Sequence, residues 1–313
     1  MAAQYETFAQ RTGASASKRA TTRARVLDHV VLLKPRVMSL VVFTGAVGFL
    51  LAPGAIDWLK LVATLGAMAA GAGACGALNM WWDADIDARM ARTAGRPIPR
   101  GVVDPREALA IGVFLAFVSV AALGMRVNWL AAGLLALTIA IYIPLYTIWL
   151  KRRTPLNIVI GGAAGALPPM IGWAAAANGV DAGPIALFLV IFLWTPPHFW
   201  ALALCRSGDY QRVGVPMMPN VVGPAATCRQ IAIYIALLVP VSFAPLAISR
   251  LGVVYACVAA TLDAVLVWRT VALCRLRNGP EAQQRQAAMK LFGFSILYMF
   301  VLFLAMLVQA LAK

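Results

Sequence analysis

The sequence predicts an all-α, polytopic membrane protein with nine transmembrane helices. Of its 313 residues 62% are hydrophobic and 12% charged, whereas a soluble domain is about half apolar and a quarter charged. Apolar runs of about 20 residues, enough to cross a bilayer as a helix, recur along the chain. These runs lack the alternation of a membrane β-barrel, so helices must satisfy the backbone hydrogen bonds in lipid. The predicted spans are roughly 37–54, 58–82, 107–125, 129–150, 156–177, 184–204, 230–249, 251–272 and 290–312.

Taken in order, the spans alternate between short connections on one side and longer ones on the other. The segments after span 2 (83–106) and span 6 (205–229) are long, polar and rich in carboxylates, arginines and prolines. They fall at corresponding positions of two four-span units, spans 1–4 and 5–8, with span 9 as an addition. Paired interruptions in matching halves indicate a shared site. We therefore expect one site on the side where both segments lie.

The charge distribution predicts which side that is. The net charge is +15, and all but four of the 27 Lys and Arg residues (Lys60, Arg126, Arg250 and Lys313) fall on one side of the alternating connections. Positively charged residues stay cytoplasmic. The N-terminus is therefore predicted inside and the C-terminus outside, in a bacterial inner (cytoplasmic) membrane. This asymmetry accounts for the basic charge without a nucleic-acid partner.

Residues 1–33 are predicted to be a disordered basic cytoplasmic tail that precedes a transmembrane domain, 34–313. No cleaved secretory signal is expected, because residues 1–30 are polar and the first apolar run already has full length. A basic arm of this kind suits a surface of anionic membrane lipid. The Ala/Ser/Arg-rich start also fits a mitochondrial transit peptide, which leaves the mitochondrial inner membrane as an alternative.

The stretch NMWWDADIDARM, residues 79–90, carries the main candidate site. Asn79, Asp83 and Asp87 are spaced i, i+4 and i+8, so on a helix they form one ridge, with Asp85 on the opposite face. Carboxylate and amide oxygens suit Mg²⁺, which is normally shared with substrate phosphates. Ionisable groups beside a membrane favour function, whereas the alternative is a solvated helix end with weak surface pairs. The ridge is therefore predicted to be catalytic and to bind metal.

A second acid lies in CRSGDYQRVGVPMMP, where Asp209 is flanked by Arg206 and Arg212. It is predicted to complete a second metal half-site opposite the first. Cationic side chains grip diphosphate oxygens, and the alternative for each is an anchor of topology. The candidate diphosphate ligands are Lys34, Arg36, Arg92, Arg96, Lys151, Arg152 and Arg206.

Two tyrosines, Tyr142 and Tyr146, lie one turn apart before Lys151. They are candidates to line the pocket, and the alternative is an interfacial aromatic belt.

Several stretches together resemble a known family. NMWWDADIDARMARTAGRP is similar to the NxxxDxxxD signature of the UbiA superfamily of intramembrane prenyltransferases. The fuller pattern resembles the haem-farnesylating branch of that superfamily, as do YTIWLKRRTPLNIVIGGAAGALPPMIGW and WTPPHFWALALCRSGDYQRVGVPMMP. The resemblance covers about 34–225. Where the superfamily usually has a second DxxxD, Val213 stands four residues after Asp209, so one acid remains there.

The resemblance implies a reaction in which haem B, farnesyl diphosphate and water give haem O and diphosphate, with Mg²⁺ as cofactor. Metal and cations would neutralise the charge that develops as the allylic diphosphate ionises. A haem vinyl group would then attack the farnesyl cation, and water would capture the new cation. Expected partners are haem B, farnesyl diphosphate, membrane lipid and the enzyme that next modifies haem.

The haem side of the expected pocket is assigned to WTPPHFW. Imidazole is a common axial ligand of haem, so His198 is a candidate ligand. Trp194, Phe199 and Trp200 are candidates to stack on the macrocycle. The alternative is a hydrogen-bonded histidine that supports the kink made by the two preceding prolines. Asp263, in the middle of span 8, has no role that the sequence assigns.

Two other functions compete with this one. A UbiA-type enzyme with another aromatic or tetrapyrrole acceptor would share the first motif. A secondary transporter would also have repeats and intramembrane acids, but its ionisable groups should lie near the midplane. Here they cluster on the cytoplasmic side.

Overall fold

The prediction of an all-α architecture is confirmed. The computed structural model describes residues 22–248 and 251–312, and these contain helices and no strands. The first helices are α1 (Thr22–Leu32), α2 (Pro35–Leu51), α3 (Trp58–Trp82), α4 (Ala84–Asp87), α5 (Pro105–Arg126) and α6 (Trp129–Ala140), which continues as a π-helix (Ile141–Leu150). Then come α7 (Asn157–Ala166), α8 (Pro168–Ala177), α9 (Ala182–Cys205), α10 (Ser207–Arg212), α11 (Met218–Ser242), α12 (Ala244–Ile248), α13 (Val253–Arg275) and α14 (Glu281–Leu311).

The number of spans agrees with the nine predicted. Within the described residues, eight helical segments are long and apolar enough to cross a membrane, and α2 is a shorter apolar helix. Helices α7 and α8 together make one span, Asn157–Ala177, which is interrupted before Pro168. The protein is therefore a multi-pass membrane protein.

Two predicted boundaries are wrong. Span 7 was expected to begin near residue 230, but α11 begins at Met218, where Pro219 occupies the first turn and Gly223, at φ 80°, kinks the helix. Span 9 was expected from about 290, but α14 begins at Glu281 and buries Gln284 and Ala288 in its first turns. In α11 the prolines and Gly223 at its start are typical of a loop. In α14 the first turns are polar, and hydropathy marks only the part of a helix that lies in lipid.

The predicted disordered tail is also wrong in part. Residues 22–32 form helix α1, and Leu32 at its end is fully buried against α3 residues Ala77 and Met80. The basic composition of this segment concealed the apolar side chain of Leu32, which packs it onto α3. Residues 1–21, the rest of the predicted tail, lie outside the described residues.

The two largest clusters of buried hydrophobic residues lie in different groups of helices. One joins α9, α11, α13 and α14, and the other joins α2, α3, α5, α6 and α8. Span 5 contributes to both cores, through Trp173 to the first and Ile171 to the second. The candidate site lies at one end of the second group, where α3 meets the π-helix.

Helices α2 and α8 cross in backbone contact, which is possible because glycines face each other there. A Cβ atom added at Gly172 would lie 2.0 Å from the Gly45 carbonyl oxygen and 2.8 Å from the Phe49 nitrogen. Small residues allow such close approach between helices in membranes.

We expect Gly172→Ala to destabilise the fold by about 1–3 kcal/mol, since an extra carbon in a packed interface forces the backbone to move. The measurement is the midpoint of thermal unfolding in detergent. Gly133→Ala is the matched control, because a Cβ at Gly133 meets nothing within 4 Å. Equal midpoints for the two variants would contradict this packing.

Candidate functional site

The ridge of Asn79, Asp83 and Asp87 faces the protein interior. Helical bonding continues through it, from the Asp83 N–H to the Asn79 carbonyl (3.0 Å) and from the Asp87 N–H to the Asp83 carbonyl (2.8 Å). The three residues are 5%, 0% and 2% exposed, respectively. Asp85, on the opposite face, is exposed. The ridge is therefore not a solvated helix end.

Asn79 connects three elements through its amide. Its Oδ1 accepts a hydrogen bond from the Lys34 Nζ at 2.5 Å. Its Nδ2 donates to Asp83 Oδ2 at 2.8 Å and to Thr147 Oγ1 at 3.2 Å. Because the two amide protons are directed at Asp83 and Thr147, the amide oxygen is presented to the cationic side of the site.

Lys34 reaches the site from an unusual backbone position. It lies between α1 and α2 with φ 54° and ψ 59°, in the left-handed region, which costs a non-glycine residue about 1–2 kcal/mol. Gly76 on α3 permits the approach, since a Cβ there would lie 3.0 Å from the Leu32 carbonyl oxygen. Burial, followed by the charges of Arg96 and Lys151, lowers the pKa of Lys34 to about 7.

Asp83 is the most deeply buried acid of the site. Its Oδ2 accepts a hydrogen bond from the Lys151 Nζ at 2.5 Å, and Arg152 Nη2 lies 3.8 Å from its Oδ1. Oδ1 is buried and has no hydrogen-bond partner within the described chain. A buried carboxylate oxygen normally has a partner, so this oxygen is the one available to a ligand.

Asp87 and Asp85 pair with cations on opposite faces of α4. Arg96 Nη1 donates to Asp87 Oδ2 at 2.5 Å, and the Thr93 hydroxyl donates to the Asp87 backbone carbonyl. Arg152 grips Asp85 with two hydrogen bonds of 2.8 and 2.7 Å, which lower the pKa of the Asp85 carboxyl. Arg96 therefore pairs with the ridge on the inner face of α4, and Arg152 pairs with Asp85 on the outer face.

The π-helix positions the partners of the ridge. Pro144, which has no N–H, lies inside it. Its wide turns are visible in the Thr147 hydroxyl, which donates to the Tyr142 carbonyl, and in the Lys151 N–H, which donates to the Tyr146 carbonyl at 2.9 Å. π-helical turns are frequent at functional sites. Here they direct Thr147 and Lys151 toward α3.

Asp209 is not brought into a cluster with the other acids. Its Oδ1 pairs with Arg212 one turn away at 3.0 Å, and no group of three or more His, Cys, Asp or Glu side chains suited to a metal occurs in the described part of the chain. The assignment of Asp209 as a metal ligand stays a prediction. Tyr210 does bring this loop to the first one, since it packs against a cluster with Ile86 and Met90.

Three of the candidate diphosphate ligands form no ion pair with the acids of the ridge within the described residues. They are Arg36, Arg92 and Arg206, which are exposed. Lys34, Arg96, Lys151 and Arg152 are the four that the fold brings to the acids. The positions of these seven residues in the sequence did not distinguish the four that pair with the site from the three that do not.

The two tyrosines line the inner side of the π-helix. The rings of Tyr142 and Tyr146 lie 5.7 Å apart and both residues are half-buried. Tyr142 packs against Cys75 and Leu78, and Tyr146 packs against the cluster that contains Ile86. Interior contacts of this kind favour a pocket over an interfacial belt.

His198 lies in an aromatic stack between α9 and α14. Its ring is stacked on Trp194 at 4.3 Å and on Phe292 at 4.7 Å, and its Nδ1 lies 2.7 Å from the Ser295 Oγ. Trp194 donates from Nε1 to the Ser295 carbonyl at 2.8 Å. Trp194 therefore covers one face of the imidazole, and its stacking on a macrocycle stays a prediction.

Trp200 also departs from its predicted role. It is 1% exposed and meets Tyr234 edge to face at 5.4 Å. Since α9 turns this side chain toward α11, the ring is part of the core. The predicted haem contact at Trp200 is not supported.

Sequence reasoning missed Thr147 and Ser295. The signal for Thr147 was its place four residues before Lys151 in YTIWLKRR, which puts both on one helix face. Ser295 lay in a span that carried no motif, so nothing marked it. Asp263, left without a role, accepts hydrogen bonds from Ser242 (2.7 Å) and Tyr298 (2.9 Å), which ties three helices together.

Comparison with known proteins decides the family. The model of the UbiA prenyltransferase family matches residues 41–296. The chain belongs to the UbiA prenyltransferase family. It is therefore a membrane enzyme that transfers prenyl groups, and the transporter alternative is set aside.

Relatives and solved structures agree with this membership. Protoheme IX farnesyltransferase of Parvibaculum lavamentivorans is 56% identical over 282 residues, with 90% of this chain and 88% of the relative covered. Its namesake from Sinorhizobium fredii is 55% identical over 289 residues, with 92% and 90% covered. The resemblance to haem-farnesylating enzymes is thus confirmed.

Two solved structures share the UbiA fold of this chain. A digeranylgeranylglyceryl phosphate synthase gives a TM-score of 0.76 at 19% identity, with 92% of this chain and 99% of that chain covered. A UbiA homologue from Archaeoglobus fulgidus bound to DMAPP and Mg²⁺ gives 0.62 at 17% identity, with 88% and 99% covered.

Proposed function

We propose that this UbiA-family enzyme converts haem B, farnesyl diphosphate and water to haem O and diphosphate. The observation that carries the proposal is the set of relatives, 52–56% identical over about 90% of the chain, that are named protoheme IX farnesyltransferase. The buried acids with their cations support the diphosphate half of the reaction. In balance, the farnesyl carbon–oxygen bond breaks, a vinyl carbon bonds to the farnesyl carbon, and water adds a hydroxyl group and loses a proton.

The residues of the ridge fit a Mg²⁺ ion. Asn79 Oδ1 and the carboxylates of Asp83 and Asp87 are hard oxygen donors, which Mg²⁺ prefers. Asp83 Oδ1 is buried without a hydrogen-bond partner in the described chain, as a vacant ligand atom would be. When bound, the ion would neutralise negative charge on the leaving diphosphate. We propose these three residues as ligands and Asp209 as a residue of the facing loop.

The cations of the site have a second role in this proposal. Lys34, Lys151 and Arg96 each bind one residue of the ridge: Asn79, Asp83 and Asp87, respectively. If the substrate and its metal occupy the ridge, these side chains are released to the diphosphate oxygens, where charge-assisted hydrogen bonds are strongest. Exposed Arg36, Arg92 and Arg206 remain predicted contacts for the incoming diphosphate.

The acceptor side is proposed to be built from the inner face of α9 and the π-helix. Tyr142 and Tyr146 would line the wall near the breaking bond. His198 would bind haem through its Nε2, because the Nδ1 is occupied by Ser295. The apolar surroundings would exclude water from the farnesyl cation until the vinyl group has attacked.

The topology follows from charge, and we propose it together with the function. The cationic cluster of Lys34, Arg96, Lys151 and Arg152 supports a cytoplasmic location for this end of the bundle, because positively charged residues stay on that side. The protein would lie in the inner membrane of a bacterium with its N-terminus inside. The product is expected to pass to the enzyme that next modifies haem.

Product analysis tests the proposal. Purified protein in nanodiscs is given Mg²⁺, haem B and farnesyl diphosphate, and haem extracts are examined by mass spectrometry. We expect a product heavier than haem B by one farnesyl group and one hydroxyl group. Geranyl diphosphate and a phenolic acid are the parallel substrates. Prenylation of the phenolic acid with haem B unchanged would favour the second function, a UbiA-type enzyme for another acceptor.

A further inference from the structure

We propose that Ser295 is a positioning residue that fixes the tautomer of His198. It would hold the ring proton on Nδ1 and leave the lone pair of Nε2 free for the acceptor substrate. The assignment of haem as that substrate rests on the proposed function, whereas the tautomer does not. Ser295 lies on α14, outside every motif of the sequence.

The His198 ring is confined in one orientation. Trp194 stacks on one face at an interplanar angle of 18°, Phe292 stacks at 26°, and Phe199 meets the ring edge to face. The hydrogen bond from Trp194 to the Ser295 carbonyl joins α9 to α14 at the same level. A ring held in this way cannot exchange its two nitrogens by rotation without breaking the stack.

Counting protons assigns the tautomer. Ser295 Oγ lies 2.7 Å from the Phe292 carbonyl and 2.7 Å from His198 Nδ1. A serine hydroxyl has one proton. If it donates that proton to the carbonyl, Oγ accepts from an Nδ1–H, and both short contacts are hydrogen bonds. If it donates to Nδ1 instead, the contact between Oγ and the carbonyl oxygen has no proton, and repulsion replaces a bond.

The remaining nitrogen is then the reactive one. No hydrogen bond to His198 Nε2 occurs within the described residues, and the residue keeps 9% exposure. A polar N–H without a partner among aromatic rings is unfavourable. A bare lone pair there suits a Lewis acid such as haem iron, and ligating histidines usually donate their other N–H to a fixed acceptor.

The chain offers a clean test because it has only two histidines. His29→Gln leaves His198 alone, since His29 lies far along the chain and pairs with Glu107 at the surface. Protein labelled with ¹⁵N in the imidazole rings and placed in nanodiscs is studied by NMR without haem. We expect a protonated Nδ1 and a bare Nε2. A proton on Nε2 would overturn the proposal.

Variants at Ser295 separate positioning from packing. Ser295→Ala should mix the two tautomers and weaken binding of haem B about tenfold, in the range seen when the partner of a ligating histidine is removed. Ser295→Thr keeps the hydroxyl and should restore both the single tautomer and the affinity for haem B. Ser119→Ala is the matched control, because Ser119 is buried and bonds only the Ala116 carbonyl of its own helix.

Haem titrations followed by the Soret band complete the experiment. An identical spectrum and affinity in Ser295→Ala and in the wild type would contradict the role of Ser295. A wild-type protein that shows the expected tautomer and binds haem B, yet makes no haem O, would contradict only the proposed function.

Discussion

Replacing Asp83 with Asn is expected to lower the rate of prenyl transfer about 10²–10³-fold, the effect of removing one group that stabilises developing charge. The carboxylate is fully buried, one of its oxygens lacks a hydrogen-bond partner in the described chain, and Lys151 holds the other. Asn has nearly the same size but no charge, so the fold and the membrane insertion should persist. The measurement is the initial rate with farnesyl diphosphate and haem B per amount of folded protein.

Asp85→Asn is the matched control for this substitution. Asp85 lies two residues away, is exposed and pairs with Arg152 on the outer face. Its rate should stay within a few-fold of the wild type, as for the loss of a surface pair. Equal losses of rate in Asp83→Asn and Asp85→Asn would show that the rate depends on net charge and not on the ridge.

Replacing Lys151 with Met is expected to destabilise the protein by about 3–5 kcal/mol, because it leaves a buried carboxylate without its cation. Lys151 Nζ is the closest cation to Asp83, at 2.5 Å, and the Asp83 side chain is 0% exposed. Activity should fall as well, since Lys151 is one of the cations proposed to bind the diphosphate. The free energy of unfolding, measured by denaturant titration in detergent micelles, is the readout.

The double substitution gives the decisive comparison. Asp83→Asn together with Lys151→Met removes both charges, so much of the lost stability should return while the activity stays low. Arg152→Met is the control at the next position, where the pair with Asp85 is largely exposed and should contribute less than about 1 kcal/mol. A Lys151→Met protein as stable as Arg152→Met would rule out a buried Asp83–Lys151 pair.

The sequence was sufficient to predict the helical membrane architecture, because lipid requires a minimum length of apolar sequence for each crossing. Each crossing needs about 20 apolar residues, and that length can be counted along the chain. The errors fall where this requirement ends: at α1, which Leu32 anchors, and at the first turns of α11 and α14. Contacts with neighbouring helices decide whether those segments are helical, and a hydropathy profile does not detect such contacts.

The sequence by itself determined the ridge, since Asn79, Asp83 and Asp87 recur at the helical period within one element. It also named the cations, because charge is a property of each residue alone. Which cation from a distant segment meets which acid was decided only by the tertiary structure. The same holds for Thr147, Ser295 and the packing around Trp200, because contacts between distant helices depend on crossing geometry that no local pattern encodes.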